Sequence, residues 1–222
     1  MIERILPEVV VSVDTREDLL EIELFPEERE AIGNAVEKRR REFVTARACA
    51  RTALAKLGAP VGPILHGERG EPLWPEGIVG SITHCDGYRA CALARAGAVV
   101  TLGIDAEPNV RLPDGVIESI AVEQERLWVD DLTRTTPGVR WDRLLFSAKE
   151  SVYKAWFPLA RRWLGFEDAV LTVDLDSKTF TARLLVEGPW LGEEKLTGFR
   201  GRWLVDEGLV VTAIALSAAC SQ

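Results

Sequence analysis

The sequence predicts an α+β protein built as two similar-sized halves. Three observations lead there. The 222-residue chain is long enough for one large domain or two of roughly 100 residues. Its strand-like runs come in adjacent groups, without the alternating βαβ cadence of a doubly wound sheet. The order is helix and three strands, then two helices and two hairpins. The join is placed near 101–103, giving units of 1–102 and 103–222. Apolar residues make up 47% and charged residues 28%, an ordinary globular balance.

Val9 to Val13 reads as a short strand, and Pro26-Glu27-Glu28 opens a helix with acids in its first turn. A stronger helix covers about Arg40 to Leu57 and stops at Gly58 and Pro60. Phe43, Ala46, Ala50, Leu54 and Leu57 recur on it at spacings of three and four, which makes one buried stripe. Arg40, Arg47 and Arg51 share another face, where guanidinium groups can converge on an anion. The segment 58–80 is a long Gly/Pro-rich connection containing Gly67-Glu68-Arg69-Gly70-Glu71-Pro72. Loops of that length are usually functional or disordered. Strands come next at about 79–83, 89–94 and 99–104, then helices near 118–132 and from Ala148 to Phe157, the latter ended by Pro158. The closing hairpins pair 171–174 with 180–186 and 201–205 with 209–216.

Composition narrows the function. A formal charge of −8 argues against broad nucleic-acid binding, although Lys38-Arg39-Arg40-Arg41 offers one local basic patch or a solvated helix face. Only His66 and His84 are present, and Cys49, Cys85, Cys91 and Cys220 have no CxxC spacing, so a zinc site is disfavoured. The cysteines read as reduced, mostly buried side chains. No apolar run approaches the ~18 residues of a membrane span, and Met1 to Glu8 lack the long apolar run of a secretory signal. These features lead us to expect a cytoplasmic protein.

The acids are the informative groups. In Gly103-Ile104-Asp105-Ala106-Glu107, period-two geometry turns Asp105 and Glu107 to the same side at a strand end. Two such carboxylates repel unless a cation or a shared proton intervenes. Glu150 and Lys154 lie one helical turn apart in Phe146-Ser147-Ala148-Lys149-Glu150-Ser151-Val152-Tyr153-Lys154. Spacing alone also fits a bland account. Ser147 to Glu150 has the form of a capping box, Glu150–Lys154 that of an exposed pair, and the strand-end acids that of surface residues.

Taken together, Gly80-Ser81-Ile82-Thr83-His84-Cys85, the Asp105–Glu107 block and the Phe146–Lys154 block resemble the three signature blocks of the 4'-phosphopantetheinyl transferase superfamily. More narrowly they are similar to its monomeric, two-lobed branch of the enterobactin-synthetase component D type, which serves siderophore, nonribosomal-peptide and polyketide synthases. The loop 67–72 and the Arg47/Arg51 helix match upstream blocks. Arg69 stands where many relatives carry lysine, and Phe146 where many carry tryptophan. The resemblance implies pseudo-symmetric lobes, each with an antiparallel sheet packed on helices. It also implies transfer of 4'-phosphopantetheine from coenzyme A to a serine of an apo carrier protein, with release of 3',5'-ADP.

Residue by residue, the resemblance implies Asp105, Glu107 and Glu150 around Mg²⁺, with Glu150 also the candidate base for the carrier serine. It implies Lys154, with Lys149 behind it, at the pyrophosphate. Thr83 and His84 belong at the 3'-phosphate of coenzyme A, together with Arg47, Arg51 and Arg69. Val110, Leu112, Val116 and Ile117 either meet the carrier's helix or are ordinary packing. Carriers in this family are acidic, so an enzyme of charge −8 should meet them through apolar contact and local arginines. A Mg²⁺-dependent nucleotide phosphohydrolase and a non-catalytic coenzyme A-binding module are the rival readings.

Overall fold

A computed structural model describes residues 1–19 and 21–218; Cys220 lies outside the described residues. The chain forms β1 (Val11–Thr15), α1 (Pro26–Ile32), α2 (Glu37–Lys56), β2 (Ile78–Cys85), β3 (Tyr88–Arg95) and β4 (Val99–Pro108). It continues with α3 (Val116–Ile120), α4 (Glu123–Thr135), α5 (Trp141–Ala160), β5 (Ala169–Asp174), β6 (Thr179–Leu184), β7 (Trp190–Leu191), β8 (Glu194–Lys195), β9 (Gly198–Asp206) and β10 (Leu209–Ser217). The fold is α+β, as expected. A three-stranded sheet in the order β1-β3-β2 packs against α2, and a five-stranded sheet in the order β4-β10-β9-β6-β5 packs against α5. All of their pairings are antiparallel.

The two long helices each bury an apolar stripe, although Leu57 of the expected α2 stripe lies just past the helix and is half-buried. On α2, Phe43, Ala46, Ala50 and Leu54 are buried, the last three completely. On α5, Trp141, Leu144, Leu145, Ala148, Ala155 and Trp156 are all fully buried. That stripe reaches upstream of Ala148, which is why the helix begins at Trp141 and not at the expected cap. Ser147 is therefore inside the helix, and its hydroxyl lies 2.9 Å from that of Thr212 on β10. The expected capping box does not form. Pro158 also falls within α5. So near the end its missing N–H disrupts little, and Arg161, at φ 51°, closes the helix by donating to the Phe157 carbonyl at 2.9 Å.

Two features of β4 fix the positions of its acids and of its neighbours. The strand runs past Ile104 to Pro108, so Asp105 and Glu107 sit inside it, opposite Thr212 and Val210 of β10. The expected division at 102/103 falls within β4, whose Val99 to Leu102 already pair with β10. The other edge of β4 lies along β2, where side chains make the bonds. Ser81 Oγ accepts from the Ile104 N–H and Thr83 Oγ1 from the Ala106 N–H, both at 3.1 Å. Two hydroxyls at period-two spacing thus join the halves and satisfy buried amides. Among the described residues no helix is long and apolar enough to cross a membrane.

Above β4, α5 passes so close that a Cβ on Gly103 would sit 2.0 Å from the Ser151 carbonyl oxygen and 2.8 Å from the Ala155 nitrogen. The two nearest atoms are backbone, and the Ala155 Cβ follows at 3.0 Å. Gly103→Ala should lower the free energy of unfolding by about 1–3 kcal/mol. The control Gly97→Ala, in a turn with nothing within 4 Å of the added carbon, should change it by less than about 0.5 kcal/mol. Urea unfolding compares the two; equal small effects would show that α5 and β4 separate freely.

Candidate active site

The two halves enclose a cleft of about 710 Å³. From the first half come Arg39, Phe43 and Arg47 of α2, Arg69 of the long loop, and Thr83 and His84 of β2. From the second come Asp105 and Glu107 of β4 and Glu150, Tyr153, Lys154 and Phe157 of α5. Helical spacing puts Glu150, Tyr153, Lys154 and Phe157 on one face, and the Gly103 contact, made by Ser151 and Ala155 beside that face, holds it next to β4.

Asp105 is the most enclosed of the cleft acids, at 4% exposure. Its Oδ1 accepts from Lys154 Nζ at 2.7 Å and from the Thr83 hydroxyl at 3.2 Å. Lys154 also donates to the Ile104 carbonyl at 3.1 Å. Asp105 Oδ2 is buried without a hydrogen-bond partner, and such an atom is costly unless a ligand completes it. Glu107 accepts from Arg143 Nη1 at 3.0 Å. Burial, reinforced by Asp105, nevertheless pushes its carboxyl up to about 6, against the pull of Arg143 and Lys154. Burial likewise raises Glu150, with Lys154 opposing and Asp105 adding.

The basic wall is distinct. Arg47 is 8% exposed, lies 3.8 Å over the Phe43 ring and donates to the Ile64 carbonyl at 3.1 Å. Burial brings its guanidinium down to about 10, Glu28 opposing. His84 Nε2 is 2.7 Å from Arg39 Nη1. Burial lowers the His84 pKa, Glu42 raises it, and Arg39, Lys154 and Arg89 lower it further. Beside the cleft a cavity of about 140 Å³ shares Glu150 and Tyr153 with it, and Trp163, Leu164 and Phe166 add apolar walls.

A cleft that sets arginines against carboxylates has the charges to hold an anionic ligand. Residues 27–94 match the 4'-phosphopantetheinyl transferase N-terminal domain, and residues 101–213 match the 4'-phosphopantetheinyl transferase superfamily. The chain belongs to that superfamily. It is 54% identical over 222 residues to 4'-phosphopantetheinyl transferase Svp of Streptomyces mobaraensis, covering 98% of this chain and 90% of the relative. It is 50% identical over 221 residues to PptT of Mycobacterium tuberculosis, covering 93% and 96%. Enterobactin synthase component D of Salmonella typhi is 30% identical over 184 residues, covering 82% and 74%.

Several expected site residues lie elsewhere in this transferase fold. Arg51 turns away from the cleft: it pairs with the fully buried Glu28, donates to the Glu23 carbonyl at 2.8 Å and stacks 4.6 Å over Phe25. Glu28, held by the Ile64 and Phe25 amides, claims that charge. Arg40 instead donates to the Gly33 carbonyl at 2.8 Å. The expected Arg40/Arg47/Arg51 convergence is thus replaced by Arg39 with Arg47. Lys149 does not reach the main cleft. It donates to the Phe166 and Ala169 carbonyls at 2.5 and 3.0 Å and pairs with Glu125 at 2.9 Å. Leu112 is a core residue at 5% exposure, whereas Val110 is 54% exposed.

The three expected metal-binding acids, Asp105, Glu107 and Glu150, are not gathered into a preformed cage. Among the described residues no three His, Cys, Asp or Glu side chains gather closely enough to hold an ion. Asp105 is paired with Lys154 and Glu107 with Arg143 instead. In the sequence Arg39 reads only as part of a charge run, and Arg143, Arg161 and Tyr153 do not stand out. Tyr153 does carry a signal, since it lies three residues after Glu150 on the same helix face. Arg143 and Arg161 belong to no motif.

Lys149 and Glu125 form a nearly dry pair, with side chains 3% and 0% exposed. Removing one partner of such a pair leaves a buried, uncompensated charge. Lys149→Ala should therefore cost about 3–5 kcal/mol of stability, read by denaturant unfolding. Weakened coenzyme A binding with unchanged stability would return Lys149 to the coenzyme site.

Proposed function

We propose that this cleft transfers 4'-phosphopantetheine from coenzyme A to a serine of an apo carrier protein and releases 3',5'-ADP. The observation that carries the reading is the division of one cavity into a cationic wall and an acidic wall, with Lys154 bonded to Asp105 between them. Arg39, Arg47, Arg69, Thr83 and His84 receive the 3'-phosphate and nucleotide. Arginine suits that task because its planar fork binds phosphate through two donors. The apolar side cavity beside Glu150 and Tyr153 accommodates the pantetheine arm.

The donor chemistry fits Mg²⁺: every candidate ligand is a carboxylate oxygen, and Asp105 Oδ2 is buried and unpartnered. A preformed three-acid cage is not required, because Mg²⁺ is commonly held by one or two carboxylates together with substrate phosphates and water. Asp105 and Glu107 would hold the ion. Bound there, it would neutralise charge on the phosphate oxygens. Lys154 adds a fixed positive charge beside Asp105, where the pyrophosphate sits. Glu150, its carboxyl raised by burial, takes the proton of the carrier serine. The serine oxygen then bonds to the phosphorus that carries pantetheine, and the bond from that phosphorus to the departing 3',5'-ADP oxygen breaks. The remaining wall residues hold the reactants in line. The enzyme acts as a monomer, and the carrier docks near the exposed Val110 through apolar contact and local arginines.

Intact-mass analysis of an apo carrier incubated with coenzyme A and Mg²⁺ should show the gain of one phosphopantetheinyl group. Asp105→Ala should abolish that gain while the protein stays folded; full activity would remove Asp105 from the chemistry. No gain with any cognate-type carrier would favour a hydrolase or a binding module. The Glu107 carboxyl sits at about 6 in the folded protein, so protons compete with the cation below that value. The Mg²⁺ concentration for half-maximal transfer should accordingly rise as pH falls through about 6. A requirement independent of pH would exclude Glu107 as a ligand. Arg47→Ala should raise the KM for coenzyme A by about tenfold and the KM for its analogue lacking the 3'-phosphate much less. Equal losses would move Arg47 away from that phosphate.

A further inference from the structure

A buried acid behind the basic wall has no part in the chemistry above. Glu42, on α2, is 7% exposed, and its Oε2 stands 3.6 Å from Nδ1 of His84. On the opposite edge of the same ring, Arg39 Nη1 lies 2.7 Å from Nε2. A guanidinium only donates. Nε2 is therefore the acceptor in this arrangement, and the ring proton resides on Nδ1, the edge that faces Glu42.

A phosphate changes what the ring must do. Phosphate oxygens accept from an imidazole, so Nε2 has to donate; the neutral Nε2–H tautomer would leave an unprotonated Nδ1 facing the Glu42 carboxylate, so the ring takes up a second proton from solvent and carries both. Three cations act against that second proton: Arg39 from α2, Lys154 from α5 and Arg89 from β3. Burial of the ring acts in the same direction, and Glu42 opposes it. Glu42 comes from the same helix as Arg39 and Arg47, so the helix that supplies cations to the anion pocket also supplies the carboxylate behind its histidine.

We propose that Glu42 is a positioning residue for His84. It holds the Nδ1 edge and sustains the imidazolium, so that His84 turns from acceptor of an Arg39 N–H into donor to the 3'-phosphate of coenzyme A. The incoming phosphate displaces the Arg39–His84 contact and takes both cations as its own partners. This inference rests on the assignment of His84 to the 3'-phosphate made above, and Glu42 touches no part of the substrate.

Two measurements test it, one of them independent of the assignment. The chain has two histidines, and the exposed His66 serves as an internal reference in an imidazole NMR titration of the free protein. In Glu42→Gln the His84 midpoint should move to lower pH while that of His66 stays. The ratio of the KM for coenzyme A to the KM for the analogue lacking the 3'-phosphate should rise about tenfold on the alkaline side of neutrality. That ratio should return toward wild type as the pH is lowered and His84 regains its proton.

An unmoved His84 midpoint in folded Glu42→Gln would overturn the inference, as would equal KM increases for both substrates. Should Glu42→Gln not fold, Glu42→Asp draws the carboxylate back while keeping its charge, and an unmoved midpoint there is equally fatal. His84→Ala separates the layers. If it leaves the KM ratio unchanged, the 3'-phosphate assignment fails, and the NMR midpoint still decides whether Glu42 governs the ring.

Discussion

The backbone contact between α5 and β4 at Gly103 is the constraint on which the site depends. Side chains normally hold a helix off the face of a sheet, but here the Ser151 carbonyl occupies the place of a Cβ. The approach is secured on both sides. Thr101 donates its hydroxyl to the Ala155 carbonyl at 2.8 Å, and Thr212 bonds the hydroxyls of Ser147 and Ser151 at 2.9 and 2.6 Å. With the helix held that low, Lys154 reaches across to both Asp105 and the Ile104 carbonyl. A side chain at position 103 would lift Glu150 and Lys154 away from the strand acids together.

A second constraint joins the halves. The free edge of β4 lies against β2 without a backbone ladder, and Ser81 and Thr83 supply the acceptors. Thr83 then serves twice, accepting from the Ala106 amide and donating to Asp105. The same strand carries His84 on the basic wall. One short segment therefore fixes the spacing between the phosphate-facing cations and the acids, which a flexible linker between two domains would leave loose.

Charge is arranged to match. Each cleft acid of β4 has its own cation, Lys154 for Asp105 and Arg143 for Glu107, which keeps two adjacent carboxylates compatible without an ion. The pairing is incomplete: Asp105 Oδ2 has no partner, and Glu107 remains hard to ionise. Both are groups that the proposed cation would complete. Arg143 also donates to the Val110 and Arg111 carbonyls at 3.0 and 3.2 Å, so the acid pair and the loop after β4 share one anchor.

The sequence by itself determined the α+β class, the order of the main strands and of α2 and α5, the family and most of the wall residues, because these depend on local periodicity and on short blocks; it read α3 and α4 as one helix and did not show β7 and β8. Asp105 with Glu107, and Glu150 with Lys154, arise from periods of two and of about four within single elements. What only the tertiary structure decided is which neighbours each charge keeps. Arg51 and Lys149 come from the same sequence blocks as Arg47 and Lys154, yet Glu28 and Glu125, from other elements of the chain, claim them in the fold. Periodicity assigns a side chain to a face, whereas its partner is set by packing between elements distant in sequence. For the same reason the place of Arg39 on the wall, the start of α5 at Trp141 and the role of Gly103 became visible only when the sheets and helices had met.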